Sequence, residues 1–411
     1  MKILELFGGI GACSKALERL GIDYKIADYV EIDKYAAMSF NAMHGTNFES
    51  QDVTTWDKDM EVDLIIHGSP CQDFSLAGKQ AGGDKDSGTR SSLMYETVRI
   101  VEKLKPKYVI WENVKNVVSK KHKHNFDNYC NRMSELGYTN YAQILNAKNY
   151  GIPQNRERVF TVSIRKDLNK TFEFPQKQEL KLKLKDMLED EVDEKYYLSE
   201  KMMNYVLDNN DVQKGTKWEG RADNDILNSN IAYALSVRGA AGLQRDGVSN
   251  FIVDGEDKEV KVKDLKLRIK NNTKKGYLEA TDGDGIDLSQ PNSTTRRGRV
   301  QKEMIQTLDT QCDSGVVVLG NYSPSNHNAS RIVDNDGLAP TVMENHGTVT
   351  ATNVSNLRIR KLTPKECWRL MGFDDEDYEK ASKVCSNTQL YKQAGNSIVV
   401  NVLEEILRKL L

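Results

Sequence analysis

No apolar run in the sequence reaches the ~18 residues that a membrane-spanning helix requires, and the first residues carry no charged segment leading into an apolar core. The first absence argues against transmembrane helices, and the second predicts no secretory leader. Cysteine is sparse and scattered. The six, Cys13, Cys71, Cys130, Cys312, Cys367 and Cys385, include no C-x-x-C pair, and the histidines do not stand at zinc-ligand spacing. No metal site is expected, and the thiols read as reduced in a cytoplasmic protein. An excess of one charge is missing too. With 58 basic and 60 acidic residues the formal net charge is −2, so a bound polyanion must be met by a local cluster of basic residues.

What is present is length for two or three domains, with 38% hydrophobic residues to build their cores. Up to about Lys166, short apolar runs alternate with amphipathic stretches. Ile3–Phe7, Tyr24–Ile32, Asp63–Ser69, Lys107–Val114 and Arg158–Ile164 read as buried strands. Ala12–Leu20, Lys34–Met43, Ser92–Leu104 and Phe126–Leu136 have helical spacing. This alternation predicts an α/β class with a mostly parallel sheet, helices on both faces, and ligands at the carboxyl ends of the strands. After Phe174-Pro175 comes a Lys/Glu-rich connection, Gln176 to Lys195. From about Trp218 to Asn356 the chain is rich in Asn, Asp, Gly, Ser and Thr, which predicts a smaller, loop-rich β domain. Thr363 to Met371 reads as a helix with Thr363 as N-cap and Pro364 in its first position. Asn396 to Leu411 reads as a final amphipathic helix. The expected division is 1–175 plus 385–411 for the larger domain and 176–384 for the smaller.

Several segments carry chemistry. Glu5-Leu-Phe-Gly-Gly-Ile-Gly11 places glycines at a strand-to-helix turn, where backbone can approach a ligand closely. A plain tight turn would look the same, but Glu31 ends the second strand, where a carboxylate can accept ribose hydroxyls. Asp52 follows, suited to an adenine amino group. The set fits a nucleoside-containing cofactor, either a nicotinamide dinucleotide or S-adenosylmethionine. Asp33 reads as a helix cap. In His67-Gly-Ser-Pro-Cys-Gln-Asp-Phe-Ser75, Cys71 follows an apolar strand. A lone Cys is commonly a small core residue, but Pro70, Gln72 and Asp73 are poor core neighbours and point to a reactive thiol on a turn. Gly78 to Arg90 has the composition of a mobile loop that closes over substrate. Glu112 ends another strand, either as a surface acid or as a carboxyl group kept protonated by burial. Arg156 and Arg158 are expected on one face, as a solvated pair or as donors to a carbonyl or phosphate.

In their order along the chain, these segments resemble the C5-cytosine-specific DNA methyltransferase family of bacterial or phage type. The motifs are F-x-G-x-G (Phe7 to Gly11), P-C-Q with a following F-S (Pro70 to Ser75) and E-N-V (Glu112 to Val114). Q-x-R-x-R (Gln154 to Arg158), L-T-P-x-E-C-x-R-L-M-G-F (Leu362 to Phe373) and Q-x-G-N-S (Gln393 to Ser397) follow. The resemblance covers roughly the first 165 and last 55 residues. It implies a Rossmann-like S-adenosylmethionine-dependent methyltransferase sheet and a target-recognition domain between the motifs. It implies a cofactor pocket formed by Phe7, Gly9, Gly11, Glu31, Ile32, Asp52, Val53, Pro70, Leu93, Asn396 and Ser397. Cys71 would attack carbon 6 of cytosine, Glu112 would hold or protonate ring nitrogen 3, and Arg158 would bind the ring carbonyl with Arg156 in support. Double-stranded DNA is the implied partner, contacted by candidates Ser75, Arg238, Arg245, Arg296, Arg297, Arg299 and Thr307. The arginines of the Arg296–Arg299 cluster suit phosphates better than bases. A monomer acting beside a cognate restriction endonuclease fits the same resemblance.

Other classes fit less of the chain. A nicotinamide-dependent oxidoreductase explains the glycines and Glu31 but gives no role to Pro70-Cys71-Gln72, Glu112 or Gln393 to Ser397. An amino-group DNA methyltransferase needs a Pro-Pro-aromatic motif, and none of the eight prolines is followed by another. A relative acting on tRNA would share the catalytic motifs but lack a long recognition domain. A non-catalytic binding module is the remaining class, and failure to form a covalent Cys71 adduct would favour it.

Overall fold

The computed structural model of the chain describes residues 1–70, 73–74, 82–84, 87–197, 266–289, 293, 298–308, 310, 314–319 and 357–411. Two compact units are present. One comprises Met1–Met187, Thr307–Cys312 and Pro364–Leu411, and the other Leu188–Gln306 and Asp313–Thr363.

The first unit is built on strands β1 (Lys2–Leu6), β2 (Lys25–Val30), β3 (Leu64–His67), β4 (Tyr108–Val114), β5 (Tyr138–Asn146), β6 (Gln154–Asn155) and β7 (Glu157–Arg165). All but β6 form one sheet in the order β2-β1-β3-β4-β7-β5. Pairing is parallel from β2 to β4, while β7 runs antiparallel to both β4 and β5. The sheet is therefore mixed, with a parallel half and an antiparallel half. Strand β3, Leu-Ile-Ile-His, is buried at every position, as expected for a parallel strand covered on both faces.

Helices α1 (Ala12–Arg19), α2 (Lys34–His44), α3 (Met94–Leu104) and α4 (Lys123–Glu135) follow strands, and α5 (Pro364–Arg369), α6 (Asp375–Ser382), α7 (Asn387–Asn396) and α8 (Val400–Leu410) close the chain. The buried positions of α3, Met94, Thr97, Val98 and Val101, repeat at helical spacing. Those of α8 do the same through Val400, Leu403, Leu407 and Leu410, and α8 packs on α1. Each such aliphatic side chain contributes about 1.5–3 kcal/mol on burial. Lys15 of α1, almost fully buried, is held by Asp374 Oδ2 at 2.8 Å and Asp377 Oδ2 at 3.0 Å, which fastens α6 to α1.

Two expectations change here. The last helix begins at Val400, not Asn396. Helix α7 ends at Asn396, and Ser397 adopts extended backbone (φ −71°, ψ 156°), so Ser397 to Val399 form a break between helices. Strand β5 was not expected. It is an edge strand, Tyr-Thr-Asn-Tyr-Ala-Gln-Ile-Leu-Asn, in which polar and apolar residues mix and positions 139–144 are partly or fully exposed, without a long apolar run.

In the second unit, strands β10 (Gly285–Asp287), β11 (Val300–Gln301), β13 (Ser314–Leu319) and β14 (Leu357–Lys361) form an antiparallel sheet in the order β11-β10-β13-β14. Strands β8 (Leu267–Lys270) and β9 (Tyr277–Ala280) form a hairpin, and β12 spans Ile305–Gln306. Ile269, Ala280, Ile286, Leu288 and Val317 make its core. Among the described residues no helix is long and apolar enough to cross a membrane.

Candidate active site

The strand order reverses between β1 and β3, and a cleft opens at the carboxyl ends of those two strands. It holds ≈ 360 Å³ including its open mouth, and both ends of the chain line it: Glu5 to Gly9 on one side, Asn396 to Ile398 on another, with Ile66 to Gly68 between them. The β1–α1 turn reaches this shape through left-handed backbone at Phe7 (φ 50°), Gly9 (φ 54°) and Gly11 (φ 78°). A side chain at Gly11 is excluded twice. Left-handed φ disfavours it, and its Cβ would lie 2.7 Å from Phe40 and from His44 Nε2.

Glu31 binds the turn from β2's end. Its Oε2 accepts from Gly9 N at 3.1 Å and its Oε1 from Asp33 N at 2.8 Å. Burial pushes the Glu31 carboxyl up, and these backbone bonds offset part of that. Each carboxylate oxygen keeps a second lone pair for a ligand hydroxyl. Ile32 beside it is 72% exposed, an apolar side chain open to solvent. Gln51 N donates to Glu31 O at 2.8 Å, which brings Asp52 alongside. Asp52 Oδ1 accepts from Thr54 N and Oγ1 at 2.9 and 2.8 Å. Val53 is buried, Phe7 and Leu93 pack against the same core, and Pro70 is half-buried. Asn396 is exposed and Ser397 buried.

Glu112 of β4 and Arg158 of β7 are diagonal neighbours, Arg158 standing opposite Val114 and Glu112 opposite Phe160. Arg158 Nε sits 3.1 Å from Glu112 Oε1, both side chains largely buried, as an ion pair without hydrogen-bond alignment. A Cβ at Gly68 would be 4.0 Å from Glu112 Oε2, so this acid stands beside the turn that leads to Cys71. Arg156 does not share their face. Strand β7 starts only at Glu157, and the Arg156 guanidinium instead donates to Leu308 O (3.2 Å), Gly395 O (3.2 Å) and Ser397 O (2.8 Å).

Some site residues were not foreseen. Glu5 is buried under the glycine turn and accepts from Ser14 N at 3.1 Å; burial raises its carboxyl to about 7, against the opposing Ser14 bonds. Ser69 Oγ accepts from Trp111 Nε1 at 3.0 Å, and Ser69 O accepts from Asn113 Nδ2 at 3.1 Å. His67, held near pKa 3 by burial, lies between Tyr129 OH (3.0 Å) and Thr97 Oγ1 (3.3 Å) and stacks on Trp111. The signal for these was available in part, since Ser69 and Asn113 lie inside the P-C-Q and E-N-V neighbourhoods. Beyond the turn, Asp73 and Ser91 exchange bonds, Asp73 N to Ser91 Oγ (3.1 Å) and Ser91 N to Asp73 Oδ2 (3.2 Å).

Cys71, Ser75, Arg238, Arg245, Arg296 and Arg297 lie outside the described residues, as do 78–81, 85 and 86 of the 78–90 segment. Arg299 of the second unit is buried and donates to Ser293 O at 3.1 Å, so its guanidinium is withdrawn from solvent. Thr307 belongs to the first unit, and its Oγ1 donates to Asn155 O at 3.1 Å. Among the described residues no cluster of His, Cys, Asp and Glu could hold a metal ion.

Comparison with known proteins agrees across the full length. The family model described as C-5 cytosine-specific DNA methylase matches residues 1–411. Orphan methyltransferase M.SPRI of Bacillus phage SPR is 32% identical, covering 100% of this chain and 97% of its own. Type II methyltransferase M2.ScrFI of Lactococcus lactis subsp. cremoris is 31% identical, covering 100% and 99%. Among solved structures, a mutant of Spodoptera frugiperda DNMT2 shares the fold with TM-score 0.56 at 19% identity, covering 100% of this chain and 99% of its own.

Proposed function

The chain belongs to the C-5 cytosine-specific DNA methylase family, and from that premise we propose that it methylates carbon 5 of a cytosine in a specific double-stranded DNA sequence, using S-adenosylmethionine and a covalent Cys71 adduct on a flipped-out base. As a DNA (cytosine-5-)-methyltransferase it acts on cytosine in DNA. The donor, the covalent route and the flipping are the finer reading. The observation that carries it is the Glu112–Arg158 pair beside Gly68, three residues before Cys71.

The cleft residues fit the donor. Glu31 offers acceptors for ribose hydroxyls, Ile32 an apolar face for adenine, and the left-handed turn from Phe7 to Gly11 a close backbone approach. Bound there, S-adenosylmethionine supplies an electrophilic methyl group whose transfer leaves a neutral thioether.

Cytosine carbon 5 is a poor nucleophile until the Cys71 thiolate adds to carbon 6. That addition breaks the C5–C6 double bond and pushes its electron pair toward carbon 5 and the ring. Glu112 holds or protonates nitrogen 3 and Arg158 donates to the ring carbonyl, so charge developing on the ring is met where it accumulates. Loss of the carbon 5 proton to solvent restores the double bond and expels the thiolate. A stacked base is out of reach of all three groups, so the target must leave the helix.

Sequence reading is assigned to the long segment between Pro175 and Asn356, with Arg238, Arg245, Arg296 and Arg297 as candidate phosphate or base contacts and Ser75 beside the base. The reading extends to a monomer working with a cognate restriction endonuclease. Light scattering and protection of modified DNA from cleavage check those two parts.

The test uses a duplex carrying 5-fluorocytosine at the target, found first by bisulfite sequencing of DNA treated with the enzyme. Fluorine at carbon 5 cannot leave as a proton does, so the methylated adduct stays on the enzyme. Intact-mass spectrometry should show enzyme plus methylated strand, and nothing for Cys71→Ser. No adduct with the unaltered enzyme would sink the reading.

A further inference from the structure

The turn from β3 to Cys71 is held by an arrangement that the general chemistry does not require. Ser69 is buried, and two β4 side chains converge on it: the Trp111 indole donates to its hydroxyl at 3.0 Å and the Asn113 amide to its carbonyl at 3.1 Å. Glu112 lies between those two residues on β4, with its carboxylate beside Gly68. Trp111 is itself immobilised. It stacks on His67 (centroids 5.8 Å apart, 2° between planes) and on Phe126, and packs against Tyr129 at 4.2 Å.

Backbone chemistry makes Ser69 the right place for such a hold. Pro70 follows, which confines Ser69 to extended conformations and fixes its own φ near −65°. Two residues span at most about 7 Å, so whatever holds both ends of Ser69 limits how far the chain can stray two residues later.

We propose that Ser69 is a positioning residue, whose hydroxyl and carbonyl, bound by Trp111 and Asn113, set the spacing between the Cys71 thiol and the Glu112 carboxylate. The inference rests on the reading of Cys71 as nucleophile. Reacting atoms must meet within a few tenths of an ångström, and misplacement by about 1 Å costs on the order of 10²-fold in rate.

Three variants test it: Ser69→Ala, Ser69→Thr and Trp111→Phe, the last keeping the aromatic stack but deleting the donor. The readouts are kcat, KM for DNA, cofactor affinity by calorimetry, and the rate of adduct formation on the 5-fluorocytosine duplex. Ser69→Ala and Trp111→Phe should each slow adduct formation about 10- to 100-fold with KM and cofactor affinity within about twofold. The double variant should be no slower than either single one, because both remove one contact. Ser69→Thr, which keeps the hydroxyl, should restore most of the rate. Equal adduct rates in Ser69→Ala and the unaltered enzyme overturn the inference, as does a loss confined to thermal stability or spread equally over KM and cofactor binding. No adduct with the unaltered enzyme removes the proposed function and this inference together, whereas normal adduct in both removes the inference alone.

Discussion

Replacing Arg156 by Met should cost stability and cofactor affinity together. The guanidinium is buried and donates to three backbone carbonyls, Leu308, Gly395 and Ser397. Met fills most of the stem's volume, so no large cavity opens. Leu308 and Ser397 are buried, and leaving a buried acceptor unsatisfied costs about 1–3 kcal/mol, or about 2–6 kcal/mol for the two. Removing a buried charge brings some relief, so the lower part of that range, about 2–4 kcal/mol, is expected. Urea unfolding followed by tryptophan fluorescence measures it, because Trp56, Trp111 and Trp368 are all buried in the first unit. The midpoint should fall at constant slope. Gly395 and Ser397 flank Asn396 in the cleft lining, so S-adenosylmethionine affinity by calorimetry should fall as well. Arg156→Lys keeps the charge but not the forked donors and should lie between. A loss under about 1 kcal/mol with unchanged cofactor affinity would show that the clamp is incidental.

Two further outcomes follow from buried charges. Glu5, with its carboxyl raised to about 7 by burial, takes up a proton more readily folded than unfolded, so stability should decline as pH rises from about 4.5 to about 7. Glu5→Gln keeps an acceptor for Ser14 and should flatten that slope, and unfolding midpoints that decline in parallel for both proteins would refute the assignment. Lys15→Met leaves Asp377 buried without its cation and should cost about 3 kcal/mol, the low end for a broken buried pair because Asp374 is half-exposed and keeps Arg19. Calorimetric melting of Lys15→Met and of Lys15→Met with Asp377→Leu checks it, the double variant being expected to recover part of the loss and a further drop counting against the pair.

The parallel half of the sheet was legible because β1, β3 and β4 are buried on both faces and spell near-continuous apolar runs. Edge strand β5 was not, since one exposed face leaves only a broken pattern. Glycines at strand ends pointed to a cleft because left-handed backbone has a residue-specific signature. The break at Ser397 was hidden inside apolar periodicity that runs on through Ile398 and Val399. Arginines were the least legible side chains. Arg158 faces an acid, Arg156 three carbonyls, and Arg299 is buried with Ser293 O as an acceptor. For Arg156 and Arg158 the difference lies in partners brought from far along the chain, which spacing within a motif does not encode.

The cleft joins Phe7 and Gly9 to Asn396 and Ser397, and this sets a clock on synthesis. A ribosome adding about 5–20 residues each second finishes the first wall well before the last, by roughly 20–80 s. Until then the nascent chain has the glycine turn but neither the closing wall nor α8, whose apolar residues cover α1. A message truncated just after the Val399 codon would yield a polypeptide with every catalytic motif intact and an uncovered flank, a substrate for proteases and chaperones before it could be a methyltransferase.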